Sequence, residues 1–303
     1  MTVSFIIVNY NTSDLLAECL QSIYEKTKDV IFEIIVIDNA SSDSSCGMVK
    51  SRFPGVRLIQ SDVNLGFGRA NNLAVKSAKG DFLFFLNSDT QLINNAVLIL
   101  VQFMQAHPEC GIAGGNLTDL SEHPVHSYSM LLPSWYSDFF RFYRRSLTVI
   151  LGHSNEYNYS GKVKQVGYIT GADLMIRKSL FDSLGGFDPI FFMYYEEAEL
   201  TYRLWKSGYT VWSVPAAKIL HVKGASLEFL TSARKVVFES KYRYIAKVCG
   251  LAHARLAHWI FSFYIMYKKV VCAMLLHQNA YRRYKKIGLI AKIAYKQEII
   301  QRT

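Results

Sequence analysis

Phe82-Leu83-Phe84-Phe85-Leu86-Asn87-Ser88-Asp89-Thr90 decides how the rest of the chain is read. Five consecutive apolar residues after Gly80-Asp81 predict a short strand buried on both faces, as in parallel sheets. The run stops at Asn87-Ser88-Asp89. In open α/β sheets, ligands bind just outside the carboxyl ends of the strands. Oxygen donors at that place suit a hard divalent cation, and such a cation suits a diphosphate. The plainer reading is a strand followed by an Asx turn, with Asp89 capping a helix over 91–106.

The segments around this strand repeat its pattern. Val3–Val8 predicts a buried strand ending in Asn9-Tyr10-Asn11. Leu15, Leu16, Cys19, Leu20 and Ile23 follow at helical spacing, with Thr12 or Ser13 as the N-cap. Ile31–Ile37 is a second strand, ending in Asp38, and Val56–Ile59 a third. Asn64-Leu65-Gly66-Phe67-Gly68 is a turn, and 69–79 a helix. Strands alternating with helices predict a mostly parallel, doubly wound, Rossmann-like α/β sheet flanked by helices. Asn9-Tyr10, Asp38 and Asn87-Ser88-Asp89 then share the ligand edge. Singly, each is an ordinary turn residue. A dinucleotide fingerprint would place glycines after the first strand, yet none lies between Met1 and Val30, and the P-loop pattern is absent.

Residues 107–170 read as less regular. Within them Trp135, Tyr136, Phe139, Phe140, Phe142 and Tyr143 interleave with Arg141, Arg144 and Arg145. This pattern fits an amphipathic helix over a core edge or a basic aromatic surface facing lipid. A second polar cluster runs from Thr170-Gly171-Ala172-Asp173 through Gly185-Gly186-Phe187-Asp188 to Tyr194-Tyr195-Glu196-Glu197-Ala198-Glu199. Glutamates in a first helical turn are favoured by the dipole alone, which accounts for Glu199. Glu196 and Glu197 stand at the helix entrance behind aromatics, where burial would make a better base. His221 follows Ile219-Leu220.

Composition sets outer bounds. The 303 residues are half hydrophobic, so a sizeable core is expected. The five scattered cysteines form no Cys-x-x-Cys, which fits a reducing compartment, and a cytoplasmic setting is expected. The apolar N-terminus has neither basic region nor cleavage site, so no signal peptide is expected. Charge is uneven. Residues 1–229 carry 19 Lys and Arg against 22 Asp and Glu, and residues 230–303 carry 15 against 2. Such a basic segment fits an anionic surface, lipid headgroups rather than nucleic acid, because no aromatic RNA- or DNA-reading module accompanies it.

The ordered set resembles a glycosyltransferase of family 2, with the GT-A fold. It comprises Ile-Val-Asn-Tyr-Asn at 7–11, Ile-Asp-Asn-Ala-Ser-Ser-Asp at 37–43 and Asn-Leu-Gly-Phe-Gly-Arg-Ala-Asn-Asn at 64–72. Leu-Asn-Ser-Asp-Thr at 86–90, Thr-Gly-Ala at 170–172, Gly-Gly-Phe-Asp at 185–188, Tyr-Glu-Glu at 195–197 and His221 complete it. The resemblance covers about residues 3–226 and is nearest to rhamnosyltransferase-like members of bacterial surface polysaccharide synthesis.

The resemblance implies roles. Asn9, Tyr10, Asp38, Asn64, Gly66, Arg69, Asn87, Ser88 and Asp89 would bind a nucleoside diphosphate sugar, UDP- or dTDP-linked. Tyr10 would lie against the base, Asp38 would accept its ring N–H, and Arg69 would sit near the diphosphate or base. Asp89 and His221 would hold Mg2+ or Mn2+. Glu197 takes the general-base position, and Glu196 is the alternative. Two departures stand out: Asn87 replaces the first Asp of Asp-x-Asp, and Glu197 replaces an Asp. The expected reaction is inverting transfer to a glycan, lipid-linked acceptor. Polymer-extruding synthases carry Gln-x-x-Arg-Trp and several spans, absent here, so one or a few sugars per encounter are expected. A sugar-1-phosphate nucleotidyltransferase and a non-catalytic scaffold are the competing readings.

Residues 1–229 are thus expected to form the catalytic domain, with a nucleotide-sugar half at about 1–106 and an acceptor half at about 107–229. Residues 230–303 would form a helical segment on the inner face of the bacterial cell membrane. Its apolar stretch Leu256–Tyr267 is interrupted by Lys268-Lys269, too early for a span of about 20 residues. An interfacial helix or a helical pair packed on the catalytic domain fits this pattern.

Overall fold

The computed structural model describes residues 1–134, 156–222 and 230–300. Buried strands at the N-terminal end of the chain build one half of a nine-stranded sheet. Its strands are β1 (Thr2–Asn9), β2 (Ile31–Asp38), β3 (Arg57–Gln60), β4 (Phe82–Leu86), β5 (Thr90–Leu92), β6 (Cys110–Thr118), β8 (Lys164–Gln165), β10 (Asp173–Arg177) and β11 (Thr210–His221). The order is β3-β2-β1-β4-β10-β6-β11-β5, with β8 paired to β11. A separate ribbon pairs β7 (Tyr128–Ser129) with β9 (Tyr168–Ile169). Pairings β3–β2, β2–β1, β1–β4 and β11–β6 are parallel. Strand β10 runs antiparallel to both neighbours, and β5 runs antiparallel to β11.

Alternate side chains of each strand feed one of two cores. Phe5, Ile7, Val36 and Phe84 pack against Leu16 and Leu20 of α1 (Ser13–Lys26) and Leu100 of α4 (Ala96–Ala106). On the other face Ile6, Ile37, Leu83 and Phe85 meet Ala70 and Ala74 of α3 (Phe67–Val75), together with Phe181 and Phe187. The remaining helices of this part are α2 (Ser45–Arg52), α5 (Lys178–Ser183) and α6 (Glu196–Lys206).

Three sequence expectations shift. The helix placed over 91–106 begins only at Ala96, because Thr90–Leu92 pairs with β11. Asn94 then bonds that strand twice, its Nδ2 donating to the Ala216 carbonyl and its Oδ1 accepting from Lys218 N. Asp89 is therefore not a helix cap. Thr12 precedes α1 but makes no side-chain cap. Within 107–170 lies β6, nine residues buried almost throughout. Its glycines conceal it, yet the packing demands them: a Cβ on Gly115 would stand 2.4 Å from the Ala217 carbonyl oxygen.

By packing, the chain divides into two compact units, one holding the sheet and the other holding Met193–Tyr195 with the C-terminal helices. Those helices are α7 (Leu230–Val248), α8 (Leu251–Met274) and α9 (Gln278–Tyr295), closed by a π-helical turn at Lys296–Ile300. Inside the second unit the Arg243 guanidinium pairs with the buried Glu298. Tyr242 and His258 share a hydrogen bond of 2.8 Å, and the His258 ring stacks on Tyr295 at 3.9 Å. Burial, with Lys292 and Lys241 nearby, pushes the His258 imidazole down to about 4, so it is neutral there. Ser240 Oγ donates to the Met193 carbonyl at 2.8 Å, and Tyr195 packs on Tyr244. The aromatic-basic stretch 135–145 and the 223–229 segment lie outside the described residues.

Candidate active site

The carboxyl ends of β1, β2 and β4 are wired together. Register sets Asn9 opposite Asp38. Asn9 Nδ2 donates to Asp38 Oδ1 at 3.1 Å, and Ser41 N donates to Asp38 Oδ2 at 3.0 Å. Thr12 Oγ1 donates to Asn9 Oδ1 at 2.7 Å and lies 2.9 Å from Ser88 Oγ. Asp38 is buried, but each fixed oxygen keeps a lone pair beyond its bond, so its direction of acceptance is set. The Tyr10-Asn11 turn is hooked to the same place, with Asn11 N donating to Ser41 Oγ and Ser42 N to Asn11 Oδ1.

Asn39 organises the next loop. Its amide nitrogen donates to Asn64 Oδ1 at 2.9 Å and to the Gly66 carbonyl, and its oxygen accepts from Leu65 N. Asn64 Oδ1 also accepts from Gly66 N. Gly66 has φ +79, and a Cβ there would lie 2.0 Å from the Phe192 carbonyl oxygen. We expect Gly66→Ala to cost upward of about 2 kcal/mol in urea denaturation, from left-handed strain plus the clash.

Helix α3 then docks the turn that leads to the glutamates. Arg69 Nε donates to the Pro189 carbonyl at 2.6 Å, and Asn72 brackets Phe187 by bonding both its N–H and its carbonyl. Arg203, one turn beyond Glu199 on α6, clasps the same turn through the Leu184 and Gly186 carbonyls. It also pairs with Glu199, whose side chain is 1% exposed, at 2.7 Å. Removing Arg203 would take the paired cation away from that buried carboxylate. Arg203→Ala is expected to cost about 3–5 kcal/mol, read as a lowered denaturation midpoint.

At the end of this turn Tyr194 and Tyr195 have φ +69 and +72. Two successive non-glycine residues in the left-handed region cost ~1–2 kcal/mol each, and such strain gathers at functional sites. They present Glu196 and Glu197 at the N-terminus of α6, whose dipole favours carboxylate. Glu196 is 3% exposed and packs against Gly68, where an added Cβ would sit 3.7 Å from its Cβ. Glu197 is half-buried.

Asp89 and His221, 132 residues apart in sequence, meet by register. Thr90 stands opposite His221, and Val222 N donates to the Asp89 carbonyl at 2.9 Å. Asp89 Oδ1 lies 3.3 Å from His221 Nε2. Neighbouring ligands of an octahedral cation with bonds of about 2.1 Å stand about 3.0 Å apart, so the pair fits two adjacent positions. Among the described residues no cluster of three or more His, Cys, Asp or Glu stands together at this place. Asn87 N is held by the Ala172 carbonyl, and its own carbonyl accepts from Thr90, which fixes the turn. The nearby Cys19 thiol is pushed up to about 12 by burial and is no nucleophile. Asp173 is fully buried, and burial holds its carboxyl well above the usual range while Gly115 N donates to it at 2.6 Å.

The model of glycosyl transferase family 2 matches residues 4–185, more than half of the chain. This chain belongs to that family. It is 26% identical over 240 residues to an N-acetylglucosaminyl-diphospho-decaprenol L-rhamnosyltransferase of Mycobacterium tuberculosis, covering 72% of this chain and 75% of that one. It is 27% identical to rhamnosyltransferase WbbL of Escherichia coli (strain K12), covering 81% and 93%. Among solved structures, the mannosyltransferase PcManGT from Pyrobaculum calidifontis, in complex with GDP-Man and Mn2+, superposes with a TM-score of 0.61. It is 16% identical, over 99% of this chain and 88% of that one. GalNAc-T7 with UDP, GalNAc and Mn2+ superposes at 0.60 and 17% identity, over 80% of this chain and 47% of that one. The fold of this family-2 chain is therefore GT-A.

The sequence named Asn9, Asp38, Ser88, Asn64, Gly66 and Arg69 individually; the structure links the first three in one network and the last three to the loops around it. Asn39, Ser41, Asn72 and Arg203 carry the wiring and had no role assigned. The first three sit inside the quoted motifs, which was the available signal.

Proposed function

We propose that this family-2 chain is an inverting, non-processive glycosyltransferase of bacterial cell-surface polysaccharide synthesis. It moves a sugar from a UDP- or dTDP-linked donor to a glycan, lipid-linked acceptor. The observation that carries the reading is the meeting of Asp89 and His221 at the carboxyl edge of a GT-A sheet, beside the Asn9–Asp38–Ser88 network. The rhamnosyltransferase relatives support the acceptor class.

In this reading Tyr10 packs on the base and Asp38 accepts its ring N–H, a hydrogen both uracil and thymine offer. Asn64, Gly66 and Arg69 shape the wall on the nucleotide side, and Asn87 and Ser88 meet the ribose or sugar. Asp89 and His221 would hold Mg2+ or Mn2+, which supplies Lewis-acid neutralisation of the diphosphate leaving group. Glu197 takes the proton of the acceptor hydroxyl as that oxygen bonds the anomeric carbon. The bond from that carbon to the diphosphate oxygen breaks on the opposite side, and its electron pair leaves with the nucleoside diphosphate. A single displacement of this kind inverts the anomeric centre and needs no covalent sugar–protein intermediate.

Residues 1–229 would hold all of this chemistry, and residues 230–303 would keep the enzyme on the inner face of the membrane. The test is a screen of nucleotide sugars for thermal stabilisation with Mg2+ or Mn2+. A donor at 100 times its Kd stabilises by about 2.7 kcal/mol. Stabilisation by UDP- or dTDP-sugars, followed by label transfer to a lipid-linked saccharide, is expected. If no nucleotide sugar shifts the melting temperature, the reading fails.

A further inference from the structure

Helix α8 is apolar on two faces. Its inner positions Ala254, Ala257, Ile265 and Cys272 are buried, and Ile265 packs so closely on Gly288 of α9 that a Cβ there would meet it at 2.9 Å. Its outer positions Trp259, Phe263, Met266, Val270 and Met274 follow at steps of three or four residues, which makes one stripe along the helix. Trp259 is 72% exposed, Phe263 68% and Met274 77%. The stripe ends in the turn Leu275-Leu276, where Leu276 has φ +55 and is 85% exposed. A continuous exposed stripe of large apolar side chains on a helix whose other apolar face is already buried marks an interaction surface.

The charges identify the partner. From Ser240 to Gln297 the chain has twelve Lys and Arg and no Asp or Glu. Arg282, Arg283, Lys285 and Lys286 follow the apolar turn on α9 and are exposed. Lys268 stands over the rings of Tyr264 and Tyr267, and Lys269 over Tyr281, each within 6.0 Å, so these cations lie on aromatic bodies. Two copies meeting through this face would bring like charges together. Nucleic acid would leave the stripe in water. No helix among the described residues is long and apolar enough to cross a membrane. An amphiphilic surface with apolar aromatics and a cationic border, on a helix interrupted by Lys268 and Lys269, matches the headgroup boundary of a bilayer.

We infer that the outer stripe of α8 and the Met274-Leu275-Leu276 turn enter an anionic bilayer surface, with the α9 cations on its headgroups. This rests on the peripheral location proposed above and gives it residues. Its test reads lipid binding alone, so it stands or falls apart from sugar transfer.

The experiment is flotation of the full chain with phosphatidylcholine vesicles, with and without phosphatidylglycerol, at low and high salt. Binding should require the anionic lipid and fall as salt rises. Trp259→Asp with Phe263→Asp should lower vesicle binding about 100-fold, and Arg282→Glu with Arg283→Glu about 10-fold or more, with melting temperatures unchanged because all four side chains are outside the core. Quenching of tryptophan emission by bromine-labelled acyl chains should disappear with Trp259→Phe. Variants that float like the unaltered chain would overturn the assignment. So would a chain that ignores lipid and forms a dimer that Trp259→Asp with Phe263→Asp dissociates, which would make the stripe a self-association surface.

Discussion

Glu197→Gln should lower turnover by roughly 10²–10⁴-fold while leaving the donor Kd unchanged. The substitution keeps the size and hydrogen-bonding shape of the side chain and removes its capacity to accept a proton. The acceptor hydroxyl has a pKa far above neutrality, so an attack without a base is slow. In the proposed reading donor affinity rests on other residues, the network at the ends of β1, β2 and β4, so calorimetric titration with the nucleotide sugar should separate the two effects. Glu196 is the control. Its side chain packs against Gly68 and is nearly buried, which suits a residue that holds α6 in place. Glu196→Gln is expected to alter stability more than turnover. An active Glu197→Gln beside a dead Glu196→Gln would reverse the assignment.

The strained pair Tyr194 and Tyr195 immediately precedes the two glutamates that open α6. Left-handed tyrosines immediately before a helix turn its first residues into one fixed direction. In the second unit Ser240 bonds the Met193 carbonyl and Tyr244 packs on Tyr195. Within the first unit, Gly66, Arg69 and Asn72 hold the 187–192 segment that precedes these tyrosines in sequence.

What was legible in the sequence followed burial. The all-apolar run 82–86 could only be a central strand, and Asn87, Asp89 and Asp38 followed from strand ends. Contacts across long sequence distance were not legible. Nothing in Thr90-Gln91-Leu92 announces a strand, because three residues carry no period, and its pairing with Ile219–His221 is a property of the assembled sheet. Strand β6 was hidden because its glycines lower β propensity while serving close approach of Ala217 and Asp173. Thr12 looked like a cap because threonine before a helix usually is one. Its hydroxyl instead joins Asn9 to Ser88, a use visible only once three strand ends stand side by side.

That register also governs the second large effect. Asp89→Ala should abolish divalent-dependent nucleoside diphosphate binding, and chelation should abolish transfer. The reason lies in the charge count. With Asn87 where the family pattern has Asp, the Asp89–His221 pair offers one formal negative charge, and the described residues bring no third His, Cys, Asp or Glu to it. A cation held by one carboxylate and one imidazole binds weakly until phosphate oxygens complete its shell. Mn2+ and nucleoside diphosphate are therefore expected to bind cooperatively, each tightening the other by the same factor. Electron paramagnetic resonance of Mn2+ with the chain should show little bound ion alone and a bound signal once UDP or dTDP is added. Asn87→Asp should raise Mn2+ affinity without nucleotide, because it restores a carboxylate. His221→Ala should weaken the ternary complex but not the fold, since its ring is a side chain at the end of β11 with Nδ1 unpaired among the described residues. Full transfer in the presence of a chelator, with Asp89→Ala still binding nucleotide normally, would reduce both residues to a structural link between β5 and β11.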